Sequence, residues 1–257
     1  MRDRTGTSGV VTTVRAAVGL LTRLPVGSAA TDVPGAAAFA GVGAMVGVMA
    51  AVGLALLAHA GEPVLGAITA VAVLATVSGG LHLDGLADTA DALIAPDPGA
   101  AERAREDPAV GPGGAVALLV VLGGQVAALA SVAASWGPIA AGSTLVVAAA
   151  VSRWLPVLAV VVLRGRIGQQ GLGAWFSDAV SGRDAIAGAV TVTLLLAIAV
   201  ALGGWAVAFG GLAGAAVGLV AIASITGARG RLDGDGLGAS VEIALLASLA
   251  SMAVVAP

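Results

Sequence analysis

Cysteine and tyrosine are absent from this 257-residue chain, and each of its 12 basic residues is arginine. Without cysteine, a disulfide scaffold is excluded. Charged residues make up 11% of the sequence, against roughly 25% in an ordinary soluble domain. That shortage excludes a conventional soluble enzyme. It also excludes disorder, which requires low hydrophobicity and high charge. Aromatic residues stand at 3%, and the 39 glycines follow no G-x-y period, so a collagen-like rod is excluded as well. The missing lysine is assigned to coding bias, not to a need for guanidinium groups. What fills the chain is apolar: 58% of the residues are hydrophobic. The composition describes an all-α, polytopic integral membrane helix bundle.

A spanning helix needs about 20 mostly apolar residues. Seven stretches are candidates: Ala36–Ala58, Val64–Leu81, Ala115–Ser135, Ile139–Leu163, Ala185–Leu202, Leu212–Gly227 and Leu237–Val255. They are too long and too uniformly apolar for the alternating strands of a membrane barrel. Gly203, Gly204, Gly210 and Gly211 mark the break between the fifth and the sixth. Seven spans place Arg2, Arg4, Arg15, Arg23, Arg103, Arg105, Arg164, Arg166, Arg183, Arg229 and Arg231 on one side, and the opposite connections contain no arginine. The positive-inside rule makes that side the cytoplasm, with the N-terminus inside. Of the 15 acids, only Glu62 and Glu242 lie elsewhere. The expected location is therefore a bacterial cytoplasmic membrane, with the chemistry on its inner face.

One domain, residues 1–257, is expected. Its first 35 residues form a cytoplasmic segment in which Val11, Val14, Val18 and Leu21 recur at helical spacing, the pattern of an amphipathic helix lying on a membrane surface. That helix ends at or before Leu24, because Pro25 follows, and Gly27–Pro34 reads as loop. Arg15 and Arg23 interrupt its apolar run and argue against a signal peptide. Gly43 and Gly47, and the ladder Gly210, Gly214 and Gly218, have the spacing of close helix–helix contacts.

Residues 82–113 form an acidic cytoplasmic segment with the most informative pattern in the chain. Asp84, Asp88 and Asp91 stand at i, i+4 and i+7 and share one face of a helix. Carboxylates so close repel one another, and a divalent cation reverses the sign of that interaction. Oxygen-only ligands suit Mg²⁺, with Mn²⁺ as the alternative. Asp107 follows a proline-rich connection and opens Asp107-Pro108-Ala109-Val110-Gly111-Pro112-Gly113-Gly114. Asp107 is a candidate fourth ligand or general base, and Gly111 and Gly114 are candidates for close backbone approach to a phosphate. His82, two residues before Asp84, is a second candidate base. Arg153 lies well inside the fourth span, where an arginine is costly and marks a functional site. Its partner is a phosphate or carboxylate, or Glu242 in a structural ion pair. Asp233-Gly234-Asp235-Gly236 is either a second cation or nucleotide site or a turn. Gly171–Phe176 either lines a pocket or lies at the interface.

The run Gly-Gly-Leu-His-Leu-Asp-Gly-Leu-Ala-Asp-Thr-Ala-Asp at 79–91 resembles the hallmark of the membrane-embedded cobalamin synthases, the adenosylcobinamide-GDP ribazoletransferases. Leu20–Pro25 resembles that family's F-L-T-R-x-P segment. Phe39 with Gly43 and Gly47 resembles its F-P-x-x-G-x-x-x-G pattern, with Ala40 in place of proline. Asp107–Gly114 resembles its D-S-x-x-G-x-x-G segment, with Pro108 in place of serine. Gly234-Asp235 with Gly238-Ala239 resembles its T-G-D-x-x-G-A segment, with Asp233 in place of threonine. The acid expected about one turn beyond Glu242 is replaced by Leu245 and Leu246.

The resemblance implies a phosphoryl-group transfer. Adenosylcobinamide-GDP and α-ribazole, or its 5′-phosphate, combine to give adenosylcobalamin, or its 5′-phosphate, with release of GMP. Such chemistry relies on charge neutralisation and positioning. The expected roles are metal binding by Asp84, Asp88 and Asp91, proton transfer by Asp107 or His82, and substrate binding by Arg153, Arg23, Asp235, Gly111 and Gly114. The corrinoid is substrate, not cofactor. Other expected partners are the lipid bilayer and no nucleic acid, with a homo-oligomer left open. Two alternatives stand beside this reading. A CDP-alcohol phosphotransferase also places an aspartate cluster at a helix end, but its D-G-x-x-A-R opening is absent. A small-solute transporter would use Arg153 and Glu242 along a translocation path.

Overall fold

The computed structural model describes residues 6–26, 33–168 and 170–255. Arg2, Arg4 and most of the expected loop Gly27–Pro34 lie outside the described residues. Ten α-helices follow in order: α1 Gly6–Leu21, α2 Phe39–His59, α3 Pro63–Val77, α4 Leu81–Ile94, α5 Pro98–Glu106, α6 Pro112–Val162, α7 Gly171–Ala179, α8 Gly182–Gly203, α9 Trp205–Arg229 and α10 Gly234–Val254. Among the described residues there is no strand, only one isolated bridge between Ile167 and Leu232.

Among the described residues, five helices are long and apolar enough to cross a membrane: α2 (with its leading turn), α6, α8, α9 and α10. Helix α6 has 51 residues, about 77 Å at the helical rise, against a hydrocarbon core of about 30 Å. Its continuity breaks at Gly137, whose φ of 84° and ψ of 168° are non-helical and open to glycine alone. The two arms then run back beside each other. On the first arm, the Gln125 side chain hydrogen-bonds Glu242 of α10 at 2.9 Å. On the second arm, Leu155 meets Ala244, one turn of the same helix, across Gly218. The two arms account for the separately expected third and fourth spans. Counting the two arms separately, the described residues hold six apolar helical segments of spanning length, and the shorter α3 stands as a candidate seventh.

Three boundaries differ from expectation. The second span was expected to run from Val64 to Leu81, but α3 ends at Val77 and α4 sets off at 90° to it. Gly79 and Gly80 take φ of 63° and 75°, which stops the helix. Helices α4 and α5 are thereby separate from the membrane-crossing segments. The break between the fifth and sixth spans was expected over Gly203–Gly211, yet Gly204 alone interrupts the helix and α9 begins at Trp205. The sixth span is thus long, not short. The first arm of α6 begins at Pro112, three residues ahead of the expected Ala115, since proline needs no amide partner in a first turn.

The arms of α6 form the centre of the bundle, between α2 and α10. Glycines let the backbones meet. A Cβ at Gly47 would stand 2.9 Å from Val146 Cα, and one at Gly210 would stand 2.8 Å from the Ser248 carbonyl oxygen. The α9 ladder therefore faces α10, and Gly43 and Gly47 face α6. Around the outside, Leu119, Leu194, Ile198, Leu212 and Val220 are each more than half exposed. An apolar belt of this kind belongs against lipid. Helix α1 ends at Leu21, as the following Pro25 requires. It buries Val18 and Leu21 but leaves Val10, Val11 and Val14 outward, the exposed stripe of an interfacial helix.

Candidate active site

Helix α4 lies across the start of α10, and two glycines set the spacing. A Cβ at Gly85 would stand 2.8 Å from the Asp235 carbonyl oxygen, and one at Gly238 would stand 3.4 Å from His82 Cα. This crossing brings His82 and Asp84 of α4 beside Asp233 and Asp235 of α10. Together with Arg105, Arg153, Phe39, Trp175 and Phe176 they line a cavity of about 290 Å³. The Phe39 and Phe176 rings stack with centroids 5.3 Å apart and form part of its apolar wall. The cavity lining combines charged and aromatic residues, the mixture usual in small-molecule sites.

Two of the lining acids, Asp233 and Asp235, are held by arginines. Asp233 caps α10 by accepting from the Gly236 amide at 3.0 Å. It is paired with Arg229 at 2.9 Å and with Arg105 at 3.3 Å. Asp235 accepts two hydrogen bonds from Arg105, at 3.1 and 2.9 Å. Burial opposes the Arg105 charge, but Asp233, Asp235 and Glu102 outweigh it and hold its pKa above the usual value. Asp88 titrates at about 6, pushed up first by burial, then by Asp84 and Asp235, against the pull of Arg105. A carboxyl perturbed by burial and by neighbouring acids is a marker of function, although Asp88, one turn along from Asp84, does not itself line the cavity.

His82 and Arg153 lie deepest, at 5% and 4% exposure. His82 Nδ1 has no hydrogen-bond partner, and burial, then Arg153, lower its pKa well below the ordinary value, so the ring is neutral. Arg153 Nη1 donates to Ser152 Oγ at 3.0 Å. The alternative partner, Glu242, acts on the Arg153 charge but does not come within salt-bridge distance of it. Glu242 takes the Gln125 amide instead, and among the described residues only Arg105, Arg229 and Arg231 make salt bridges. A second pocket lies on the other side of Asp84, lined by Thr22, Arg23, Ser78, Gly79 and Gly80.

A family model described as cobalamin-5-phosphate synthase matches residues 13–253. The chain belongs to this family. Three curated relatives are named adenosylcobinamide-GDP ribazoletransferase. The Halorubrum lacusprofundi protein is 38% identical over 93% of this chain and 96% of its own length. The Rhizobium etli protein is 32% identical over 84% of each chain. The Shigella dysenteriae protein is 34% identical over 77% of this chain and 78% of its own. No solved structure matches.

Within this member of the cobalamin-5-phosphate synthase family, the acidic face divides. Asp91 is 8% exposed and turns into the bundle. Its two carboxylate oxygens accept from the Gly111 amide at 2.8 Å and the Gly114 amide at 2.9 Å. It ties α4 to the start of α6, where the helix dipole favours a negative charge. Three expectations change together. Asp91 has its oxygens occupied by the protein, and the amides of Gly111 and Gly114 are occupied by Asp91, so they do not await a phosphate. Among the described residues, no group of three or more acids and histidines is arranged to hold a metal ion, so Asp84, Asp88 and Asp91 are not a preformed three-carboxylate site.

Asp107 is exposed, accepts from the Ala109 amide at 2.9 Å and is not among the cavity residues. His82, Asp84, Asp235 and Arg153 do come together there, and Arg23 lines the neighbouring pocket. Trp175 and Phe176 prove to be pocket residues and not merely interfacial ones. Arg105 was expected only as one of the positive-inside arginines. Its partner Asp235 lies 130 residues away, beyond any local pattern.

Proposed function

We propose that the chain joins adenosylcobinamide-GDP to α-ribazole or its 5′-phosphate, releasing GMP and forming adenosylcobalamin or its 5′-phosphate. The observation that carries this reading is the cavity at the α4–α10 crossing, with its carboxylates at the mouth and a neutral histidine and an arginine within. A hydroxyl oxygen of the ribose attacks the phosphorus nearest the cobinamide, and the bond from that phosphorus to the GMP oxygen breaks. The attacking hydroxyl is not the 5′ one, because the phosphorylated acceptor keeps its 5′-phosphate in the product. His82, whose ring lines the cavity, accepts the hydroxyl proton. Arg23, in the pocket across Asp84, faces the outgoing nucleotide.

Asp84 and Asp88 fit Mg²⁺ (or Mn²⁺) in the mode in which one or two carboxylates hold the ion and substrate phosphates complete its shell. Burial first, and then the charges of Asp84 and Asp235, raise the Asp88 pKa, and a cation at the pair would relieve the repulsive part. Bound there, the ion would neutralise charge on the diphosphate. Asp235 stays with Arg105 and shapes the mouth. Seven passes, with α3 counted among them, and the one-sided arginines support a bacterial cytoplasmic membrane location, with the N-terminus and the site on the inner side.

The test is an assay of the purified full-length chain with adenosylcobinamide-GDP and α-ribazole, with and without Mg²⁺. GMP and cobalamin appearing in equal amounts, and only with Mg²⁺, is the expected result. Absence of cobalamin under both conditions would reject the assignment.

A further inference from the structure

We propose that Arg153 is the subsite for the 5′-phosphate of the ribazole substrate, and that it makes the chain select the phosphorylated acceptor over the free nucleoside. The inference rests on the proposed transferase function and adds the residue and the choice of acceptor. Arg153 lies inside the bundle at 4% exposure yet lines the cavity. Its side chain makes one hydrogen bond, to Ser152 Oγ. A guanidinium carries five N–H donors, so most of them are without a protein partner. The buried acid on the facing helix, Glu242, is engaged by Gln125 at 2.9 Å and forms no salt bridge with Arg153. Glu242 acts on the Arg153 charge from a distance but does not hydrogen-bond it, so the buried guanidinium keeps open donors that an anionic ligand entering the cavity can take up.

Size decides which phosphate reaches it. A cavity of about 290 Å³ is at the lower end of the roughly 300–1,000 Å³ usual for small-molecule sites. A corrin ring with its side chains does not enter. The diphosphate attached to it therefore stays near Asp84 at the mouth. A flat heterocyclic nucleotide is the better match in size, and Phe39, Trp175 and Phe176 in the lining offer its base an aromatic wall. The 5′-phosphate and the attacking hydroxyl belong to one ribose. Arg153 and His82, side by side in the cavity wall, therefore hold the two groups of the same sugar. The family description, cobalamin-5-phosphate synthase, names a product that retains such a phosphate.

The experiment measures Kd on the purified full-length protein through the fluorescence of Trp175 and the other tryptophans. The probes are α-ribazole 5′-phosphate, α-ribazole and GMP, on wild type and on Arg153→Gln. The phosphorylated ligand is expected to bind wild type at least tenfold more tightly than the nucleoside. Inorganic phosphate should compete with the first and not with the second. In Arg153→Gln the tenfold preference should collapse to near unity, with the α-ribazole and GMP affinities unchanged. Three results overturn the proposal: equal affinities in wild type, a preference that survives in the variant, or a loss confined to GMP, which would assign Arg153 to guanine. Should the variant not fold, the wild-type ratio and the phosphate competition decide. Turnover of both acceptors without any preference would sink this inference and leave the transferase reading standing, whereas no turnover at all would sink the latter.

Discussion

Asp88 and Asp91 are separated by less than one helical turn and do different work. Asp91 neutralises the start of α6 through the Gly111 and Gly114 amides. Asp91→Ala leaves both donors without that acceptor, at about 1–3 kcal/mol for each buried unsatisfied group. The expected outcome is a clear fall in Tm in detergent, with turnover lost only as the fold is lost. Asp88 bears the opposite strain. Its pKa is raised from the ordinary 3.8 to about 6, so the fold disfavours its charged form at neutral pH. Its contribution to stability is present at low pH and is lost as pH rises through about 6. Asp88→Asn removes that charge. Its Tm at pH 7 should equal or exceed that of wild type, while Mg²⁺-dependent GMP release is abolished. Normal turnover in Asp88→Asn would refute the metal role. The i, i+4, i+7 spacing made the shared face legible in the sequence. It did not show that the third position turns inward, because its partners lie 20 and 23 residues away.

Among the elements, the α4–α10 crossing positions the site, and it depends on a missing side chain. Gly85 faces the Asp235 backbone with room for no Cβ. Gly85→Ala must push α4 off α10, at about 1–3 kcal/mol for overpacking, and so separate Asp84 and Asp88 from Asp235. Turnover is expected to fall at least tenfold while the far-ultraviolet circular dichroism stays helical. Turnover at the wild-type level would show that the crossing does not set the reacting geometry. The glycine is part of a run that the sequence marks as informative, yet its reason is tertiary and invisible to spacing. The same holds for the end of α3. Hydropathy continues through Leu81, and only the left-handed backbone at Gly79 and Gly80 turns the acidic helix away from the span. Arginine placement, in contrast, makes the arginine-bearing face of the bundle legible in advance, since charge avoids the bilayer whatever the packing.

For the whole molecule, orientation hinges on Gly137. If α6 doubles back there, Glu62 and Trp205 lie on one side of the membrane and Arg183 on the other. If α6 were a single pass, Trp205 would move to the inside and Arg183 to the outside. The chain has no cysteine, so the single substitutions Glu62→Cys, Trp205→Cys and Arg183→Cys report without background. All three positions are exposed. In intact cells a membrane-impermeant maleimide should label the Glu62→Cys and Trp205→Cys variants, and the Arg183→Cys variant only after permeabilisation. Labelling of Arg183→Cys in intact cells, with protection of Trp205→Cys, would overturn the seven-pass arrangement and the cytoplasmic site together. The cavity, α5 and the start of α10 are all on the Arg183 side, so the same experiment reports which compartment must supply a charged nucleotide substrate unable to cross the bilayer.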